Sequence, residues 1–168
     1  IQHGHGLVLK EPLGVVLGIA PWNAPMVLGL RAVVAPIAAG NVAILKACAL
    51  RQADAEREIV SGLTISQGSE LSPQTHYLVA SLFQEAGFPP GVLNFLLYRP
   101  QDAPDIFDVL INHPAIKKCN FTGSTQVGRI IASQAALALK PVLLELGGKN
   151  FAVVLDDADL DLAAREIT

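Results

Sequence analysis

Apolar residues in this chain fall into short unbroken runs separated by stretches of near-helical spacing, and the alternation of the two sets the fold class. Residues 12–20, Pro-Leu-Gly-Val-Val-Leu-Gly-Ile-Ala, are apolar throughout, as expected of a strand covered on both faces. Pro21-Trp-Asn-Ala-Pro25 stops that run, and residues 26–39 follow with near-helical periodicity, with Pro36 expected to kink or end the helix early. Gly40-Asn41 predicts a turn and residues 42–46 a second short buried strand. Ser72-Pro73 opens the next helix with a capping hydroxyl and a proline at its first position, and Gly87 closes it. Phe88-Pro-Pro-Gly91 reads as a turn, residues 92–97 as a strand, 105–112 as a short helix and 116–121 as another strand. Beyond it Val127, Ile130, Ile131, Ala135 and Leu137 form an apolar stripe near helical spacing. The final stretch predicts a strand over 142–146, a Gly147-Gly148 turn, a strand over 151–155 and a helix capped near Asp157 or Asp159. Strands alternating with helices predict an α/β protein, a Rossmann-like, mostly parallel sheet flanked by helices.

Composition narrows the function classes. Apolar residues make up 51% of the 168 and charged residues only 16%, where soluble domains average about 25% charged. A covering partner, either more chain or another subunit, is therefore expected. The net charge of −3 gives no support to nucleic-acid binding. No apolar run reaches the roughly 18 residues of a membrane span, and the start, Ile1-Gln-His-Gly-His-Gly, lacks the basic-then-apolar form of a signal peptide. A cytoplasmic protein without membrane or nucleic-acid partners is expected, and a first residue other than Met suggests a start inside something longer. Cys48 and Cys119 are too few and too far apart for a metal knuckle or a disulfide framework. Like His3, His5, His76 and His113, they read as ordinary core or surface residues, and no metal is expected.

Candidate chemistry gathers at the predicted strand ends. Asn120-Phe-Thr-Gly-Ser-Thr-Gln-Val-Gly-Arg129 has the form of a strand end, a glycine turn and the first turn of a helix. Gly123 would let the backbone turn tightly, Ser124 and Thr125 can cap the helix, and its positive end favours a phosphate. The spacing is G-x-x-x-x-G, neither the Rossmann G-x-G-x-x-G nor a P-loop, so on spacing alone an ordinary capped helix stands beside the phosphate reading. Asn23 after the first strand, Lys46 after the second, Ser124 after the fourth and Glu145 in the fifth could converge, because ligands of open α/β sheets bind outside the carboxyl ends of the strands. Each has a plainer reading: Asn23 as an Asx-turn residue, Lys46 as a solvated strand end. Glu145, within Leu143-Leu-Glu-Leu146, sits in an apolar run where a carboxylate needs partners or a raised pKa, which makes it a candidate general base. A structural carboxyl bonded to backbone amides has the same sequence signature.

Taken together, five motifs in order resemble the NAD(P)-dependent aldehyde dehydrogenase superfamily: Glu11-Pro-Leu-Gly-Val-Val with Ala20-Pro-Trp-Asn-Ala-Pro25, Ala39-Gly-Asn41 with Leu45-Lys46, Gly87-Phe-Pro-Pro-Gly-Val-Leu-Asn94, Phe121-Thr-Gly-Ser-Thr-Gln-Val-Gly128, and Leu144-Glu-Leu-Gly-Gly-Lys149. The resemblance covers nearly the whole chain outside residues 48–68 and implies oxidation of an aldehyde to a carboxylate with NAD or NADP, NAD being favoured. It implies that Asn23 is the oxyanion-hole amide and Glu145 the base that activates the hydrolytic water on a thioester. Ile19, Pro21 and Trp22 match cofactor-wall positions, Lys46 the lysine at the adenosine ribose, Gly123 and Ser124 the pyrophosphate turn, and Gly147 belongs to the glutamate's motif. The run Asn23-Ala-Pro25 with Leu30-Arg31 is similar to members acting on salicylaldehyde- or vanillin-type aldehydes.

Two departures follow from the same resemblance. The family's nucleophilic cysteine lies well beyond the Leu-Glu-Leu-Gly-Gly motif, and neither Cys48 nor Cys119 stands in a motif that could replace it. The 168 residues therefore resemble a partial NAD(P)-binding domain, a truncated form of the fold without the catalytic domain and the oligomerisation strand, although full-length relatives form homo-oligomers; turnover by the isolated chain is not expected. Residues 48–68 also change character, with Arg51, Asp54, Glu56, Arg57 and Glu58 clustered there. Removing them joins Lys46-Ala47 to Ser69-Glu70-Leu-Ser-Pro73, restoring the family's ribose-binding Lys-x-Ser-Glu pattern and giving Glu70 a place beside Lys46. An exposed, poorly packed insertion, from a retained intron or a mispredicted exon, is expected there, with a genuine surface loop as the alternative.

Overall fold

The computed structural model describes residues 6–48, 59–60, 63–64 and 73–167. In chain order it forms β1 (Val15–Ile19), α1 (Pro25–Ala38), β2 (Val42–Cys48), a small antiparallel pair β3 (Ile59–Val60) and β4 (Leu63–Thr64), α2 (Pro73–Glu85), β5 (Leu93–Tyr98), α3 (Ala103–Asn112), β6 (Ile116–Gly123), α4 (Thr125–Leu137), β7 (Val142–Leu146) and α5 (Leu160–Ile167). The main sheet has the order β5-β2-β1-β6-β7, and every pairing in it is parallel. The chain builds outward from β1 to β5 and then crosses back to the other side of β1. This places a topological switch point between β1 and β6, where open α/β sheets form their ligand crevice.

Side-chain alternation along the strands divides the core in two. Leu17 and Ile19 of β1 pack with Phe107 and Ile111 of α3, Cys119 and Phe121 of β6, and Ile131 and Ala135 of α4. Ala20, Ala43 and Leu45 face the other way, onto Ala32 and Val33 of α1 and Val79 of α2. Both faces of the sheet are covered, which is why β1 and β2 read as continuous apolar runs rather than alternating ones. Gly18 belongs to this packing: a Cβ there would lie 3.0 Å from Cβ of Ala32, so the missing side chain is what lets α1 approach β1.

Turn chemistry fixes the helix ends. Gly87 closes α2 with φ +83, its N–H donating to Gln84 O and that of Phe88 to Phe83 O. The rings of Phe83 and Phe88 meet at a tilt with centroids 4.9 Å apart, completing a Schellman stop with its hydrophobic contact. Asn41 ties three segments together: its Oδ1 accepts from Gly14 N and its Nδ2 donates to Pro36 O, each at 3.0 Å. At the far end Asp159, one of the two expected caps, accepts from the amides of Asp161 and Leu162.

Three expectations change. Residues 151–155 form no strand, and Phe151 is 95% exposed; an apolar run becomes a strand only against a neighbour, and among the described residues β7 has a partner on one side alone. Pro36 does not end α1, which continues to Ala38. Cys48 belongs to the sheet, pairing with Tyr98 at the last register of β2 and β5, so β2 runs two residues past the end expected at Lys46 and into the segment 48–68. Whether that segment is exposed and poorly packed lies, apart from the backbone of β3 and β4, outside the described residues, as does Glu70.

Candidate active site

Three adjacent strand ends line one cleft of about 320 Å³: Pro21, Trp22 and Asn23 follow β1, Thr122, Gly123 and Ser124 end β6 and lead into α4, and Glu145, Leu146 and Gly147 end β7. Of the four strand-end groups expected to converge, Asn23, Ser124 and Glu145 do. Lys46 is absent from that lining. It is buried at the end of β2, with Nζ 3.6 Å from the centroid of the Tyr98 ring. Ile19 places its side chain in the core, so only its backbone at the end of β1 can face a ligand. Trp22 is 57% exposed on the cleft wall. Asn23 is exposed there too, and among the described residues no hydrogen bond commits its amide to an Asx turn.

The glycine motif works differently from its sequence reading. Gly123 does not adopt a left-handed conformation. A Cβ there would lie 2.5 Å from Cζ of Phe121, so the residue is small to admit that ring. Gly128, one turn into α4, leaves room for Leu146, whose Cδ2 would lie 2.5 Å from an added Cβ. Ser124 caps α4 as expected, its Oγ accepting from Val127 N at 3.3 Å. The amides of Thr125 and Gln126, in the first turn, have no carbonyl a turn earlier to receive them. They sit at the positive end of a 13-residue helix beside the cleft. Gly147 adds no side chain opposite, where a Cβ would lie 4.0 Å from Thr125 Oγ1. A helix N-terminus flanked by two side-chain-free positions fits the phosphates of a dinucleotide.

Glu145 is not buried as the apolar run suggested: β7 is an edge among the described strands, and the side chain is 43% exposed. Its Oε1 accepts from Nη2 of Arg31 at 3.0 Å, across 114 positions of sequence. Half-exposed pairs of this kind contribute about 1 kcal/mol or less, so the contact matters for where it holds the carboxylate. Sequence reasoning assigned Arg31 no such part, although it is the single charged residue in the otherwise apolar α1, and it also missed Tyr98. Cys119 is excluded as a nucleophile, because it is wholly buried in the α3/α4 core and burial pushes its thiol up to about 12. Among the described residues no cysteine lines the cleft.

A chain with these motifs at the switch point of a parallel sheet invites comparison with known proteins. The sequence profile of the Aldehyde dehydrogenase family matches residues 2–55 and 59–168. The chain belongs to the aldehyde dehydrogenase family. It is 48% identical over 157 residues to a vanillin dehydrogenase of a Pseudomonas species, covering 94% of this chain and 28% of that protein. Its fold matches the crystal structure of a salicylaldehyde dehydrogenase from Pseudomonas putida G7 complexed with salicylaldehyde, with a TM-score of 0.75 and 44% identity over 94% of this chain and 28% of that one. A mutant aldehyde dehydrogenase C of Pseudomonas syringae, in complex with NAD+ and octanal, matches with a TM-score of 0.72 and 35% identity over 93% of this chain and 27% of that one. The chain thus spans little more than a quarter of the length of the relatives it matches, and the profile match breaks only at residues 56–58, inside the segment of changed composition.

Proposed function

We propose that this chain is the nucleotide-binding part of an NAD(P)-dependent aldehyde dehydrogenase oxidising an aldehyde to a carboxylate, with NAD the favoured cofactor. The observation that carries this reading is the meeting of Asn23, the Ser124-capped helix end and Glu145 in one cleft at the switch point. In this reading the first-turn amides of α4 hold the pyrophosphate between Gly123 and Gly147, and Pro21, Trp22 and the backbone of Ile19 form the wall on the β1 side. Lys46 takes the adenosine ribose, and Glu70, outside the described residues, is assigned to the same ribose by its motif. NAD(P) bound there would supply the acceptor for the hydride released from the substrate carbon.

The remaining chemistry falls to side chains. Asn23 offers an uncommitted amide N–H to the substrate oxygen as it gains negative charge, which is stabilisation by a preorganised donor. Glu145, held at the cleft by Arg31, accepts a proton from the water that releases the acyl group. Among the described residues the cleft holds no nucleophile, and in this reading the 168 residues bind nucleotide without turnover. Identity to vanillin and salicylaldehyde dehydrogenases of 48% and 45% supports aromatic aldehydes as the substrate class of the whole enzyme.

The test uses the cleft's own reporter, because Trp22 is the only tryptophan in the chain. Titration with NAD+ or NADP+ should change its fluorescence and raise the melting temperature, since a ligand that binds only the folded state stabilises it. Silence in both measurements at millimolar nucleotide would reject the reading.

A further inference from the structure

Lys46 and Tyr98 lie on the same face of the sheet, toward α3 and α4, at the carboxyl ends of β2 and β5. Their register makes them diagonal neighbours: Lys46 stands opposite Leu96, and Tyr98 opposite Cys48. The ammonium is 3.6 Å from the ring centroid, and the two residues are 3% and 9% exposed. Withdrawn from water, a lysine charge seeks whatever compensation its surroundings offer, and the electron-rich ring face supplies part of it here. We propose that Tyr98 is a cofactor-selectivity residue: by seating the Lys46 ammonium on its ring, it favours NAD over NADP.

The argument rests on the reading of Lys46 as the lysine at the adenosine ribose. An ammonium has three donors and a compact charge on a flexible stem. In that reading one of the three donors goes to a ribose hydroxyl while the ammonium keeps its place over the ring. A 2′-phosphate asks for more, because its charge draws the ammonium off the ring and forfeits the cation–π contact. The seat therefore costs NAD little and penalises NADP. Because the aromatic face does the work, phenylalanine should serve as well as tyrosine.

Affinities of the 168-residue chain for NAD+ and NADP+, read from Trp22 fluorescence and thermal shift, test this directly. Tyr98→Phe should leave the ratio of the two affinities unchanged, whereas Tyr98→Leu should shift it toward NADP+ by about fivefold or more. Tyr98→Met, which removes the ring face but fills more of its volume, gives the same answer if the leucine variant fails to fold. A ratio that stays within about twofold of the parent in a folded, NAD-binding ring-less variant overturns the proposal. So does a phenylalanine variant that shifts as far as leucine. Failure of the parent reading is seen separately, in the unsubstituted chain, as binding of neither nucleotide.

Discussion

The side-chain amide of Asn120, on β6, donates to the main-chain carbonyl of Ala32 in the middle of α1, across 3.3 Å. That carbonyl would ordinarily accept from the amide four residues on, and the residue four on is Pro36, which has no N–H. Asn120 thus supplies the donor the proline removes. This accounts for the helix running past Pro36 and for a buried asparagine, 8% exposed, in an apolar sheet. Asn120→Ala should cost about 1–3 kcal/mol by stranding a buried carbonyl. In a Pro36→Ala background, where the backbone donor returns, the same change should cost at least about 1 kcal/mol less. Urea denaturation of the four proteins of the cycle measures the coupling, and additive losses would dismiss it.

What the sequence makes legible follows from what is local. Residues 12–20 are read as a strand because burial on both faces leaves an unbroken apolar run, and Gly87 as a helix stop because its φ of +83 suits few other residues. Residues 151–155 carry the same apolar signature yet form no strand, since the backbone partner a strand needs is not a property of the run itself. The site divides in the same way. Asn23, Ser124 and Glu145 are visible because each follows or ends a strand, while the partners that position charge, Arg31 for Glu145 and Tyr98 for Lys46, come from distant segments whose register no local pattern encodes.

Leu139 takes a left-handed conformation, φ +54, just after α4, with its N–H donating to Ala136 O and that of Lys140 to Ala135 O. This is a position that glycine normally fills. Leucine there stores roughly 1–2 kcal/mol of strain, and its side chain is almost wholly exposed, so little packing repays it. Glycine's greater freedom in the unfolded chain takes back about 0.5–1 kcal/mol. Leu139→Gly should therefore stabilise by about 0.5–1 kcal/mol, and Leu139→Val should destabilise, both read from denaturation midpoints.

The Cys119 thiol is pushed from an ordinary 9.0 up to about 12 by burial. The folded state then holds this proton more tightly than the unfolded chain. Its contribution to stability is present below pH 9 and is lost as the pH rises from 9 toward 12. Cys119→Val should flatten the loss of stability between pH 8.5 and 10.5, an interval of roughly the onset of that loss. Equal slopes in parent and variant would mean the thiol does not contribute. Iodoacetamide at neutral pH should label this residue only after unfolding.

Glu145→Gln separates binding from hydrolysis. The carboxylate lies at the cleft's β7 end, paired with Arg31, and neither the α4 amides nor Lys46 depends on it. Nucleotide affinity of the chain should therefore change by less than about fivefold, since a half-exposed pair is worth about 1 kcal/mol or less. In a chimera carrying these residues within the Pseudomonas putida salicylaldehyde dehydrogenase, the burst of reduced cofactor should remain and steady-state turnover should fall by about 100-fold or more, as expected when a general base alone is removed. Equal loss of burst and steady state would take the water-activating role away from Glu145.

Deleting residues 48–68 tests whether that segment interrupts a cofactor motif. The deletion joins Ala47 to Ser69 and restores Lys-Ala-Ser-Glu after the last residues of β2. Cys48 closes the β2/β5 ladder opposite Tyr98, and Ser69 would take its place there, which a backbone pairing permits because any residue but proline supplies both N–H and C=O. Glu70 would then follow one residue beyond the strand end, close to Lys46. Shortening the connection between β2 and α2 also relieves loop-closure entropy, worth about 0.6 kcal/mol for each halving of length. The deleted chain should melt at the same temperature or higher and bind NAD+ at least as tightly. Hydrogen exchange should show β2 and β5 as protected as before, because the pairings from Ala43 to Ala47 are untouched. A deleted chain that fails to fold would mean that the segment contributes to the core, and would remove Glu70 from the ribose site together with the insertion reading.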